Sequence, residues 1–453
     1  MDEMKTVDEI LEKILLLIED KKYIQIKRIL QDMNEVDIAE VLDRLDSYNA
    51  LLIFRMLPKD LAVEVFAYFE PDRQIEIIEA ITDKEVKNIV DELFFDDMID
   101  LIEEMPANIV KKVLKHSTAE ERKLINQFLK YPPDSAGSLM TIEYVELRQS
   151  MTVKEALQHI KETGMSKETV YTCYVTDMNR KLEGIISLKL LVISPEDKII
   201  ADLMEDDLIS VKTHDDQEYV AGVFKRYGFL ALPVVDMENR LTGIITVDDI
   251  IDVMEQEATE DFQIMAAMSP SEDEYLDTKV LTLARKRIFW LLILMVSATI
   301  SGSVISRYEN ILSTAVILTS FIPMLMDTGG NSGSQSSTLI IRGLAIGEIE
   351  IKDAPKVLWK EFRISLMVGI SLAAVNFLRM ILIVRTDYVL GIVVSVTLMF
   401  TVVIAKLIGG MLPIAAVKLK IDPAIMAGPL ITTIADALSL VVYFSIASFL
   451  LGI

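Results

Sequence analysis

The strongest constraint on this chain is a set of five apolar segments crowded into its C-terminal part, near residues 288–306, 311–326, 364–384, 389–416 and 424–452. Each approaches or exceeds the ~20 residues a helix needs to cross a ~30 Å hydrocarbon core, with 311–326 at the short end. Nothing in such a core hydrogen-bonds an open backbone, so five membrane-spanning helices are expected.

Charge divides the chain at the same place. Residues 1–277 carry 30 Lys and Arg against 60 Asp and Glu, whereas residues 278–453 carry 15 against 9. An acidic soluble-type half of this size repels phosphates and attracts cations, which argues against nucleic acid as a partner. Met1 to Asp20 shows no basic stretch or cleavage site, so no export signal is expected. Cys173 stands alone and cannot form an internal disulfide, as suits the cytosol. His116, His159 and His214 are scattered, so no zinc-type cluster is expected.

Basic residues set the orientation. Arg285, Lys286 and Arg287 precede the first span; Arg342, Lys352, Lys356, Lys360 and Arg363 lie between the second and third; Lys418 and Lys420 lie between the fourth and fifth. The opposite loops hold only Arg307, Arg379 and Arg385. The N-terminal half is therefore expected in the cytoplasm, and the C-terminus outside the plasma membrane.

Residues 1–130 read as an acidic, all-α domain. Amphipathic runs at Leu61–Phe69, Ile75–Ile81, Val86–Leu93 and Met98–Met105 are separated by Leu57-Pro58 and Glu70-Pro71, the pattern of a small superhelix of stacked helix pairs. Tyr131-Pro132-Pro133-Asp134 ends it. Then Val175–Ser187 returns as Val234–Thr246, offset by 59 residues. Each copy reads strand, turn at Asp-Met, strand ending in Gly-Ile-Ile, preceded by an amphipathic helix (Thr152–Thr163; Asp215–Tyr227). The pattern over 131–255 resembles a tandem CBS pair, the cystathionine β-synthase-type regulatory module. A polar acidic connecting segment over 252–284 follows, leading into a membrane domain over 285–453.

Asp436 lies inside the fifth apolar segment, where a carboxylate is costly unless it meets water, a partner or an ion. It reads either as an ion-path ligand or as a hydrogen bond to a neighbouring helix, with Thr432 and Thr433 one turn away. Magnesium is commonly held by one or two carboxylates while keeping several waters, so one acid per subunit at a dimer axis would serve. Pro323, Pro413 and Gly428-Pro429 are expected to interrupt their helices. Gly329–Ser334 follows the second span, either as a flexible loop or as irregular backbone lining water. It lacks the Gly-Lys-Ser/Thr ending of a P-loop. Asp327 and Asp422 lie nearer the membrane edges. Asp248, Asp249, Asp252, Glu255, Glu257, Glu260 and Asp261 crowd one helical stretch, as a solvated face or as a cation sensor.

These features resemble, nearly end to end, the MgtE family of bacterial magnesium channels. The shared motifs are Tyr131-Pro-Pro-Asp-Ser-Ala-Gly137, the tandem repeat, Thr246–Asp252 running into Glu257–Asp261, Gly330–Gln335, Ile341–Leu344, Asp422-Pro-Ala, and Thr432–Asp436. The resemblance implies a homodimer of five-span subunits with a pore at the two-fold axis, and a connecting helix near 252–268 that plugs it. It implies magnesium at the pore aspartate, Asp436. It implies sensing acids at Glu64, Asp96 and Asp100 in the first domain, Asp216 and Glu218 in the CBS pair, and Asp249, Asp252, Glu257, Glu260 and Asp261 on the helix. One family acid is replaced here by Gly228. Nucleotide-binding CBS modules commonly end Gly-h-h-Ser/Thr-x-x-Asp; the second copy keeps Thr246 and Asp249, so ATP is a possible ligand there, whereas the first has Ser187 with Leu190.

The expectation is a multi-domain membrane protein that imports Mg2+ as a magnesium-gated channel, with lipid and divalent cations as partners. No nucleophile–base set or ATPase motif suggests an enzyme. Two alternatives remain: a secondary divalent-cation exchanger (Mg2+ or Co2+), and a membrane-anchored magnesium sensor.

Overall fold

The computed structural model describes residues 2–271, 275, 276, 278–309, 312 and 316–451. The chain divides into two compact units, Met1–Val253 and Met254–Ile453.

The first unit begins with ten short helices among the described residues: α1 (Asp2–Glu19), α2 (Tyr23–Gln31), α3 (Glu35–Asp43), α4 (Ser47–Phe54), α5 (Lys59–Ala67), α6 (Pro71–Ala80), α7 (Asp83–Glu92), α8 (Phe95–Glu104), α9 (Ala107–His116) and α10 (Ala119–Phe128). Strong start signals keep them short. Asn34 and Asp46 cap α3 and α4, Thr82 and Glu85 form a capping box on α7, and Pro71 opens α6. Alternate helices touch: α3 packs on α5, α5 on α7 and α7 on α9, with α4 on α6 and α6 on α8 along the other row. That alternation makes the superhelix expected from the spacing. Ile38, Leu42, Ile53, Phe66, Ile77 and Ile78 fill its core; each contributes about 1.5–3 kcal/mol when fully buried.

After α11 (Ala136–Leu139) come two modules of identical topology. In the first, β1 (Val145–Leu147), α12 (Val153–Thr163), β2 (Thr172–Thr176), β3 (Leu182–Ser187) and α13 (Leu188–Ile193) pair β1 parallel to β2 and β2 antiparallel to β3. In the second, β4 (Val211–Lys212), α14 (Gln217–Tyr227), β5 (Ala231–Val235), β6 (Leu241–Thr246) and the start of α15 (Val247–Met265) repeat it. The turns match atom for atom. Asp177 Oδ1 accepts from the backbone N–H groups of Asn179 and Lys181, and Asp236 Oδ1 from those of Glu238 and Arg240. An Asp side chain that closes its own turn is why Asp-Met opens both hairpins.

The second unit holds α16 (Val280–Arg307), α17 (Ile322–Ala345), α18 (Ala354–Arg379), α19 (Tyr388–Lys418) and α20 (Gly428–Leu451). Among the described residues, four segments are long and apolar enough to cross a membrane: Val280–Arg307, Ile351–Val384, Tyr388–Lys418 and Pro423–Leu451. Large apolar side chains such as Phe289, Met295, Met367 and Val375 stand exposed on α16 and α18, as lipid-facing surface would.

Three expectations need correction. Gly329–Ser334 is neither loop nor broken backbone; it lies inside α17, which starts at Ile322 rather than ending near 326. Small residues let α17 press against its neighbours. A Cβ on Gly409 would collide with the Gly333 carbonyl, and one on Gly330 would lie 2.7 Å from Thr432 Cγ2. Second, Pro323 and Gly428-Pro429 interrupt nothing, since they begin α17 and α20, and only Pro413 lies inside a helix. Third, the helix of the third span starts before residue 364, so Lys356, Lys360 and Arg363, expected between the second and third spans, lie on α18.

Candidate cation sites

Carboxylates gather in two places, one in each unit, and α15 contributes to both. In the first unit, Asp96 and Asp97 occupy the first turn of α8, and Asp248 and Asp249 the first turn of α15. Helix N-termini favour negative charge, which explains why acids are tolerated there singly. Glu143 and Glu168 join them from the segments before β1 and β2. The Glu168 N–H donates to the Glu143 carbonyl at 2.9 Å, and Thr141 Oγ1 donates to Glu143 Oε2 at 2.6 Å.

The electrostatic consequence is strong. Burial, then the charges of Asp97, Asp249 and Glu168, push the Asp96 carboxyl up to about 9. Burial, then Asp249, Asp248 and Glu143, push Asp97 to about 6. Burial, then Asp249, Asp248, Asp97 and Glu143, push Glu168 to about 7. Burial also raises Asp249, against hydrogen bonds from Thr246. A divalent cation would reverse each of these shifts. Among the described residues no three carboxylate, imidazole or thiol groups converge tightly enough to grip a bare ion. The arrangement suits an ion that keeps part of its water shell.

In the second unit, burial and then the charges of Asp422 and Glu257 raise the Asp261 carboxyl. Asp422 also caps the turn Pro423–Met426, accepting from Ala424 N–H at 2.7 Å. That turn leads into α20, where Asp436 sits half-buried eight residues beyond Gly428, ~12 Å along the helix. Asp327 lies on α17, which packs on α20 around Asp436: Cβ atoms at Gly329 and Gly330 would meet Ser439 and Thr432. Thr432 and Thr433 each donate their hydroxyl proton to the Pro429 carbonyl, at 2.8 and 3.0 Å.

The other expected acids are more dispersed. Glu64 is exposed on α5, and Asp100 lies one turn along α8 from Asp96. Asp216 caps α14 by accepting from the Glu218 N–H at 2.9 Å, and both are exposed there. Asp252 and Glu260 lie on α15 with exposed side chains. Gly228 closes α14 in the left-handed region at φ 67°, a conformation that favours glycine over an acid. Thr246 Oγ1 donates to Asp249 Oδ2 at 2.7 Å; in the first module Ser187 accepts from the Leu190 N–H instead.

Sequence reasoning passed over three members of the first cluster. Asp97 adjoins an acid already singled out. Glu143 and Glu168 become neighbours only because β1 and β2 pair in parallel, which brings their leading segments to one end of the sheet.

Comparison with known proteins agrees with this architecture. A family model described as "Divalent cation transporter" matches residues 322–446, one described as "MgtE intracellular N domain" matches 33–134, and CBS domains match 136–193 and 200–256. The "Magnesium transporter MgtE" of Bacillus subtilis is 34% identical over 443 residues, 98% of each chain. That of Thermus thermophilus is 34% identical over 94% of this chain and 95% of its own. The soluble part of a magnesium transporter superposes on 56% of this chain with TM-score 0.51 and 29% identity. The cytosolic domain of the Mg2+ channel MgtE, in complex with ATP, covers 53% with TM-score 0.50 and 31% identity.

A helical acidic domain, a CBS pair and a set of long apolar helices define a multi-pass membrane transporter of divalent cations. The chain belongs to the MgtE family of magnesium transporters.

Proposed function

We propose that the chain is a channel that imports Mg2+ along a path containing Asp436, and that Mg2+ held by the acids of the first unit and α15 closes it. The observation that carries this reading is that α15 contributes a raised carboxyl to each acidic group. Asp249 belongs to one and Asp261 to the other, 12 residues or ~18 Å apart on a single helix. A helix whose two ends both carry repelling acids responds at both ends to one kind of ion. Mg2+ favours the closed state insofar as it binds there more tightly.

In this reading residues 1–130, 131–255, 252–284 and 285–453 act as sensor, CBS pair, connecting plug and pore. The sensing acids are Glu64, Asp96, Asp100, Asp216, Glu218, Asp249, Asp252, Glu257, Glu260 and Asp261. α17 serves as a fifth span, which puts the N-terminus in the cytoplasm and the C-terminus outside. Two copies bring their Asp436 carboxylates to a common axis, which supplies the pair of acids that a hydrated magnesium ion favours. ATP is taken at Thr246 and Asp249, a reading supported by the relative whose cytosolic domain was crystallised with it.

The test is flux and current in reconstituted bilayers with magnesium varied on the N-terminal side. Asp436→Ala is expected to abolish uptake while the protein stays folded and dimeric. Wild-type flux in that variant would remove Asp436 from the path, and turnover no faster than a carrier's would replace the channel with an exchanger.

A further inference from the structure

The second unit buries two opposite charges that the transport reading leaves unused. Glu361 of α18 and Lys406 of α19 are 6% and 5% exposed. Ser336 of α17, 1% exposed, stands between them. Its hydroxyl donates to Glu361 Oε2 at 2.6 Å and accepts from Lys406 Nζ at 3.5 Å, and Lys406 also donates to Gln335 Oε1 at 3.4 Å. Gly410, one turn from Lys406, leaves room for the acid: a Cβ there would lie 3.0 Å from Glu361 Cγ. Three helices are joined by one chain of hydrogen bonds running from ammonium to hydroxyl to carboxylate.

Either charge alone is strongly disfavoured at such a site, and together they are neutral. Their position matters as much as their burial. Ser336 lies six residues beyond Gly330 on α17, ~9 Å along the helix, and Gly329 and Gly330 press against Ser439 and Thr432, which flank Asp436 on α20. Over that distance in a poorly screened interior, a lone ammonium repels a divalent cation appreciably.

We propose that Glu361 neutralises Lys406 so that no fixed positive charge opposes the cation near Asp436, which makes Glu361 an electrostatic positioning residue for transport. The inference rests on the reading that the ion path passes Asp436. It predicts opposite responses from the two partners, which a purely structural bridge does not.

The experiment compares initial Mg2+ uptake by the reconstituted full chain in E361Q, K406Q, the double variant and Asp436→Asn, each checked for folding by size exclusion and thermal unfolding. E361Q is expected to slow uptake on the order of tenfold. K406Q is expected to transport at least as fast as wild type, and the double variant to return to within about twofold of it. Equal losses in both single variants, no loss in E361Q, or no recovery in the double variant would each overturn the proposal. Should E361Q fail to fold, the swap Glu361→Lys with Lys406→Glu keeps the pair neutral and is expected to transport; a folded swap that does not would overturn it as well. If Asp436→Asn transports normally, the path assignment fails whatever the pair shows. If Asp436→Asn is dead and E361Q is not slowed, the pair proposal alone fails.

Discussion

Burial, then the charge of Asp97, raises the proton affinity of Asp96 on α8, and Asp249 on α15 adds to it although the two belong to different domains of the sequence. Folding brings them together, and folding alone does not compensate them. Asp96 rises from 3.8 to about 9 and Glu168 from 4.5 to about 7. Both groups bind protons more tightly in the folded state than in the unfolded one.

The stability they contribute is therefore full at low pH and is lost as pH rises through the window from about 4 to about 9. Without divalent cations, a fragment of residues 1–265 should melt lower at pH 9 than at pH 5.5, by roughly 5 °C or more. Millimolar magnesium should flatten that slope, and Asp96→Asn should flatten it without magnesium. Thermal unfolding followed by circular dichroism checks all three; a slope unaffected by either would separate these acids from any cation site.

Two glycines should respond oppositely to alanine. At Gly409 the new methyl collides with the Gly333 carbonyl, so the α17–α19 crossing must open. Gly409→Ala is expected to cost about 2 kcal/mol or more, seen as a lower melting point and less monodisperse protein in detergent. At Gly222, within α14, a Cβ meets nothing within 4 Å. Gly222→Ala is expected to stabilise by about 0.5–1 kcal/mol through helix propensity alone.

Much of the fold was legible because it follows local rules. The Asp177 and Asp236 turns announce the repeat, since the same side chain must accept the same two N–H groups in each copy. The N-terminal superhelix shows in its spacing and caps. Two features hid from that kind of reading. Gly329–Ser334 looks like a break because its residues are poor helix formers and weakly apolar, yet close contact with Ile431, Thr432 and Ala405 holds it helical. Glu361 sits in sequence among Lys356, Lys360 and Arg363, which gives no sign of burial, and only the packing of α18 on α19 turns it inward. Lys406 did carry a signal, a lone ammonium within an apolar segment, of the same kind that marked Asp436.

Magnesium should order the acid-rich segments. With the cation present, the stretch 249–268 and the Asp96–Asp100 turn are expected to resist protease, and to be cut sooner when the ion is chelated. Fragments identified by mass spectrometry report the sites. Cleavage that ignores magnesium would mean these carboxylates form only a solvated surface.

The last prediction separates two physical accounts of gating. Replacing Asp249, Asp252 and Glu257 by Asn or Gln relieves repulsion along α15 and also removes ligands. If repulsion alone drives opening, the variant should stay shut at all magnesium levels, because nothing pushes the acids apart. If coordination holds the closed state, it should stay open at high magnesium on the N-terminal side, since an amide is a much weaker magnesium ligand than a carboxylate. The raised carboxyls favour the second outcome. Burial is the first cause of the shift in both Asp249 and Asp261, ahead of any neighbouring charge. A carboxylate held in a desolvated place gains most from a metal and loses most when it becomes an amide. Open probability against magnesium, recorded in patches, decides between the accounts, and an inhibition curve unchanged from wild type would take these three residues out of the gate.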